Sequence, residues 1–287
     1  SSDLLRLTSG LLAVGASGIV SNNGPVAQPA TLDGAVSNAG TVFFLRDTYV
    51  NALVTNTGNW TQRGVISNNV VNAGSFFLMK NSVNARVVGD VINTGFLSFD
   101  TNAFPTVQGS VTNAGSLSFS GTITANYVQL AGGSLTVSAL STNNAITGTA
   151  SITAGAFDLN GRVLNGGRLI LTGTGLLTNG ITGATYNGSV SNAGSVFLSA
   201  NTFFNGVVSN AGAFAWRGAI SNNFVQTAGT ATLNGAGTVT GTARVLGGAF
   251  DLAGNSYSNS LMIVGGTGVV TNAVAGATFR EIGRAHV

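Results

Sequence analysis

A glycine followed by alternating side chains recurs along this sequence, at Gly40, Gly58, Gly74, Gly95, Gly115, Gly133, Gly155, Gly167, Gly194, Gly212, Gly229 and Gly248. The residues two and four positions on include Val42 and Phe44, Phe76 and Leu78, Leu97 and Phe99, Leu117 and Phe119, Phe214 and Trp216, and Phe250 and Leu252. Across the whole set only Gln62, which follows Trp60, breaks the apolar rule. The mean interval is about 19 residues, a period that marks units stacking on their neighbours. Within each unit the period is two, which places alternate side chains on opposite faces of a strand. No stretch of useful length repeats its apolar residues at helical spacing, and the three prolines, Pro25, Pro29 and Pro105, leave the central strands free to donate hydrogen bonds. A leucine-rich horseshoe has a similar period, but its leucine phrase and helical half-repeat are missing. The expected fold is all-β: a right-handed parallel β-helix (β-solenoid) with coils of about 19 residues, each burying its apolar layer against the next.

Many coils share a turn phrase. Val36-Ser37-Asn38-Ala39-Gly40 returns as Val190-Ser191-Asn192-Ala193-Gly194, and close variants surround Gly74, Gly115 and Gly212. Asn and Gly tolerate positive φ, so the phrase predicts a turn in that conformation. Aligned amides also predict an asparagine ladder running up the stack. Longer copies sit above the coil: residues 63–69, Arg-Gly-Val-Ile-Ser-Asn-Asn, return as Arg-Gly-Ala-Ile-Ser-Asn-Asn at residues 217–223, at the same offset as the Val36 phrase, and Gly155-Ala156-Phe157-Asp158-Leu159 returns as Gly248-Ala249-Phe250-Asp251-Leu252. Such copies describe growth of one stack by duplication. The expected organisation is a single repeat domain over residues 1–280, followed by a non-native tail at 281–287 that resembles a translated sequencing adapter.

Composition narrows the function. Charged residues make up 7% of the chain, against about 25% in ordinary globular domains. No run reaches the roughly 18 uninterrupted apolar residues that a spanning helix needs, because Asn, Ser, Thr and Gly interrupt every stretch. A surface of neutral amides and hydroxyls suits a secreted β-protein. The net charge of +3 comes from scattered arginines and Lys80, without the clustered stripe that nucleic-acid binding requires. The chain has no cysteine, which excludes disulfides, thiolate zinc sites and a cysteine nucleophile.

Candidate chemistry is sparse. Asp158 and Asp251 occupy equivalent coil positions about five rungs apart, on the order of 24 Å, too far for a glycosidase pair at about 5–10 Å. Asp90 and Asp100 read as solvated residues at a turn and a strand end. The only Glu and the only His, Glu281 and His286, fall in the tail, which leaves no Ser-His-Asp triad. The calcium-type phrase at Gly247-Gly248-Ala249-Phe250-Asp251 lacks its third glycine and its tandem copies. The expectation is therefore no catalysis, no cofactor and no metal. Phe43, Phe77 and Phe197 stand three beyond their glycines, opposite the core positions, and are the candidate surface-contact residues. The competing reading has a loop over residues 47–56 folding back to cover them.

The Asn-Ala-Gly coils, low charge, absent cysteine and phrases such as Val163-Leu164-Asn165-Gly166-Gly167-Arg168-Leu169 resemble the β-helical passenger domains of bacterial autotransporters. More loosely, they are similar to filamentous-haemagglutinin-type exoproteins. The resemblance spans most of residues 10–279. It implies an extracellular, cell-surface stalk that is structural or adhesive, whose partners are a host or neighbouring-cell surface, glycans or the chain itself. It also implies an export signal and an outer-membrane β-barrel encoded elsewhere, the barrel being the sole membrane attachment. The alternative is a fragment of a β-helical polysaccharide-degrading enzyme or phage tail-type protein, with catalytic coils outside these residues.

Overall fold

The structure, a computed structural model, describes residues 6–22, 30–79, 85–101, 104–138, 143–181 and 183–281. It divides into two compact units, Ser1–Gly148 and Thr149–Val287. Among the described residues there is no helix, and every strand pairing with a recorded register is parallel, linking one coil to the next. In the first unit, Thr41–Val50 pairs with Asn59–Ile66, which pairs with Ser75–Leu78, then Phe96–Phe99, Ser116–Phe119 and Ser134–Val137. A second wall runs through Ala35–Asn38, Val54–Asn56, Val70–Asn72, Val91–Asn93, Val111–Asn113 and Tyr127–Gln129. A third wall runs from Ala30–Leu32 by way of residues 48–50 and 65–66 to Arg86–Val87, Thr106–Val107 and Thr122–Ile123. The second unit repeats the plan, with Ala156–Asp158, Leu176–Asn179, Ser195–Leu198 and Ala213–Ile220 in succession. Both units are parallel β-solenoids.

The inward positions expected from the glycines are buried on every rung. Val42, Phe44, Trp60, Phe76, Leu78, Leu97, Phe99, Leu117 and Phe119 are buried, as are their counterparts through Phe250 and Leu252. Aromatic rings meet from coil to coil: Phe44 lies edge-on to Trp60 at 5.3 Å between ring centres, and Trp60 stacks on Phe76 at 5.9 Å. In the second unit Trp216 stacks on both Phe224 and Phe250 at 5.6 Å. Such contacts add to the burial of the rings themselves. Gln62, the polar exception, is fully buried. Its amide nitrogen donates to Thr48 O at 2.9 Å and its Oε1 accepts Trp60 Nε1 at 3.1 Å. Burial of a polar side chain is tolerable here because its donors and acceptor are matched.

The expected asparagine ladder is present and lies inside the solenoid. Asn38 Nδ2 donates to Asn56 Oδ1, Asn56 to Asn72, Asn72 to Asn93 and Asn93 to Asn113, each at 2.7 Å and each buried. The steps span 18, 16, 21 and 20 residues, so the coil length varies about its mean while the amide column stays in line. The column continues through Tyr127 Oη, which accepts Asn113 Nδ2 at 3.1 Å and donates to Gln129 Oε1 at 2.8 Å. In the second unit Asn192 donates to Asn210 and Asn210 to Gln226, again at 2.7 Å.

The turn phrase works differently from the sequence expectation. Gly58, Gly74, Gly95 and Gly115 do not have positive φ, and neither do the ladder asparagines. Glycine is required there by close stacking. A Cβ on Gly95 would press on the Gly74 carbonyl oxygen and lie 2.6 Å from the Ala73 carbonyl. That same Gly74 oxygen accepts the Phe96 amide at 2.8 Å, as Gly58 O accepts Ser75 and Gly95 O accepts Ser116. Positive φ matters instead at Gly64, at +100°, where a Cβ would stand 2.6 Å from Thr48 N and O. Its duplicate Gly218, at +111°, is confined in the same way by Thr202.

Residues 47–56 are not a covering loop. Residues 48–50 continue the Thr41–Val50 strand, and Val54–Asn56 is itself a strand paired on both sides. Glu281 ends the strand Thr278–Glu281, paired in register with Asn259. The remainder of the expected tail, with His286, lies outside the described residues.

Candidate surface-contact site

Strand register puts the candidate aromatics into outward columns. In the first unit one column reads Ser21, Phe43, Thr61, Phe77, Ser98, Ser118 and Thr136. Phe43 is 41% exposed, whereas Phe77 is half-buried because its ring packs on Phe96 at 5.7 Å. Phe77 stays in the same column as Phe43, with part of its ring covered by an aromatic on the next rung. Thr61, between Phe43 and Phe77, is buried. Phe96 is 38% exposed and joins the patch. Sequence reasoning missed it, although period two places the residue one beyond each glycine on the same outer face as the residue three beyond. In the second unit Phe197 is 53% exposed in a column of Asp158, Thr178, Phe197, Ala215, Thr232 and Asp251.

The same column places Asp158 and Asp251 five register steps apart. Each organises a turn: Asp158 Oδ1 accepts the Asn160 amide at 3.0 Å, and Asp251 Oδ1 accepts Ala253 N at 3.1 Å and Ala273 N at 3.2 Å. These bonds hold Asn160 and Ala253 at φ of 51° and 47°, a region where Asn is tolerated and Ala is strained. Asp90 Oδ1 accepts the Ser110 amide at 2.7 Å. Asp100 directly follows the strand Phe96–Phe99. Among the described residues no three His, Cys, Asp or Glu side chains group as a metal site.

A second outer face carries a shallow groove that sequence reasoning did not single out. Leu53, Asn69, Val71, Asp90, Ile92 and Thr112 line it. Leu53, Val71 and Ile92 are all exposed, and Val71, Ile92 and Thr112 succeed one another in register. The signal was present in the outward position of the second-wall strands Val70–Asn72 and Val91–Asn93, where Val71 and Ile92 stand between Thr55 and Thr112 in the same column. The titratable groups that shift are interior. Burial pushes the phenols of Tyr127, Tyr186 and Tyr257 well above the ordinary tyrosine range. At Tyr127 the hydrogen bond from Asn113 opposes that rise. Compared with known proteins, the chain matches no family model, no curated protein and no solved structure.

Proposed function

We propose that the chain is a structural and adhesive passenger-type segment of a secreted or cell-surface protein. It presents a repetitive outer surface for adhesion or self-association. The observation that carries this reading is the combination of a register-locked interior with aromatic side chains held outward at defined rungs, Phe43 and Phe96 in one unit and Phe197 in the other. Exposed apolar patches on a surface rich in Ser, Thr and Asn mark contact sites. The rigid stack positions them without any bound group. The resemblance to autotransporter passengers supports the same reading, with attachment to the outer membrane through a separate β-barrel.

The test is surface display of the chain on a Gram-negative cell, between an export signal and an outer-membrane β-barrel. Displaying cells should aggregate or adhere to glycan-coated and cell-coated surfaces more than cells carrying the barrel alone. The double variant Phe43→Ser, Phe197→Ser should reduce adhesion several-fold while leaving display intact. Adhesion no greater than that of the barrel-only cells overturns the reading.

A further inference from the structure

The two duplicated blocks part company on the grooved face. In the first unit Val71 pairs in register with Ile92, and in the second its counterpart Val225 pairs with Arg244. The local scaffold is the same in both. The Asp90 amide donates to Asn69 Oδ1, and the Thr242 amide donates to Asn223 Oδ1, each at 2.8 Å. Gly89 and Gly241 are each confined by those same asparagines. On this shared frame the charges differ: Asp90 stands where the second unit has Thr242, and Arg244 stands where the first unit has Ile92. The first unit sets an exposed carboxylate, Asp90, within a groove of Leu53, Val71 and Ile92, which are 42%, 36% and 48% exposed. The second sets an exposed guanidinium, Arg244, in register between Val225 and Ile263, the latter 38% exposed, and two residues from the exposed Leu246.

We infer that these two faces bind one another between copies of the chain: the Asp90 groove on the first unit of one copy receives Arg244 and its aliphatic flanks on the second unit of another. The contact rests on the reading of the chain as a self-associating surface segment, and names the partner and the residues. Apolar area supplies adhesion, and the opposite charges set register and exclude like faces. Because donor and acceptor faces differ, the contact is heterologous, and a pair joined through one such contact keeps one free face of each kind, open to further copies. Both charges are exposed, so the contact weakens as salt rises.

Sedimentation of the full chain over a concentration series, at low and high salt, tests this. Asp90→Arg and Arg244→Asp should each weaken association about tenfold or more, because each sets like charges against one another. The double variant Asp90→Arg, Arg244→Asp should restore wild-type association. Ile92→Ser should weaken it without altering its salt dependence. Single reversals that leave association unchanged, or a double variant as weak as the singles, overturn the interface. A wild-type chain that stays monomeric while displaying cells still adhere to glycan or cell surfaces overturns the interface alone. Absence of both association and adhesion overturns the adhesive reading with it.

Discussion

Asn93 shows what a single residue does in this interior. It accepts the amide of Asn72 and donates to Asn113, both at 2.7 Å, and it also reaches the carbonyls of Gly95 and Ser116. The Asn72 and Asn113 side chains are fully buried, so neither finds an alternative partner if the Asn93 amide is removed. Asn93→Leu should destabilise the first unit by about 3 kcal/mol, at roughly 1–3 kcal/mol for each buried group left unpaired. Asn51 makes a bond of the same length to Asp33 on the exposed surface. There water replaces the lost partner, and Asn51→Ala should cost less than about 1 kcal/mol. Thermal unfolding followed by circular dichroism compares the two, and equal shifts would contradict a buried, energetically distinct ladder.

At the scale of the coil, the glycines decide how closely one turn of chain approaches the next. Gly95 has backbone from the preceding coil where its Cβ would go, whereas Gly180 has no atom within 4 Å of that position. Gly95→Ala must separate two coils and should cost about 1–3 kcal/mol, as overpacking does. Gly180→Ala should be neutral or slightly stabilising, because it restricts only the unfolded chain. Melting temperatures of the two variants check this, and a harmless Gly95→Ala would remove close stacking as the reason for the repeated glycine. The duplicated coils obey the same rule. Gly64 and Gly218 each close on a threonine of the coil below, Thr48 and Thr202, which explains why that glycine survives in both copies while the surface beside it has diverged.

At the scale of the whole molecule, three of the four tyrosines, Tyr127, Tyr186 and Tyr257, have phenols raised by burial above the ordinary tyrosine value of 10.0. Below pH 10 the phenols are neutral in both folded and unfolded chains, and their contribution is fully present. Above it the unfolded chain ionises first, so stability falls as pH climbs toward the raised folded values. Alkaline titration should therefore show phenolate absorbance of the buried tyrosines rising together with loss of the β-sheet circular dichroism signal. Ionisation of all tyrosines near pH 10 with the sheet intact would contradict their burial.

The sequence by itself determined the strand period, the inward set from Val42 to Leu252, the amide ladder and the five-rung separation of Asp158 from Asp251. All of these follow from a residue's place within its own coil, and a repeat makes that place visible. Beyond that ladder, the contacts between coils were decided only by the tertiary structure. Among them are the cover that Phe96 provides for Phe77, the carbonyl that forbids a side chain on Gly95, the partners that make a buried Gln62 tolerable, and the groove around Asp90. Successive ladder residues are separated by anything from 16 to 21 positions, so the neighbour of a given side chain sits at no constant offset. It is set by how the wider turns between strands are absorbed while the hydrogen-bonded rungs remain in line.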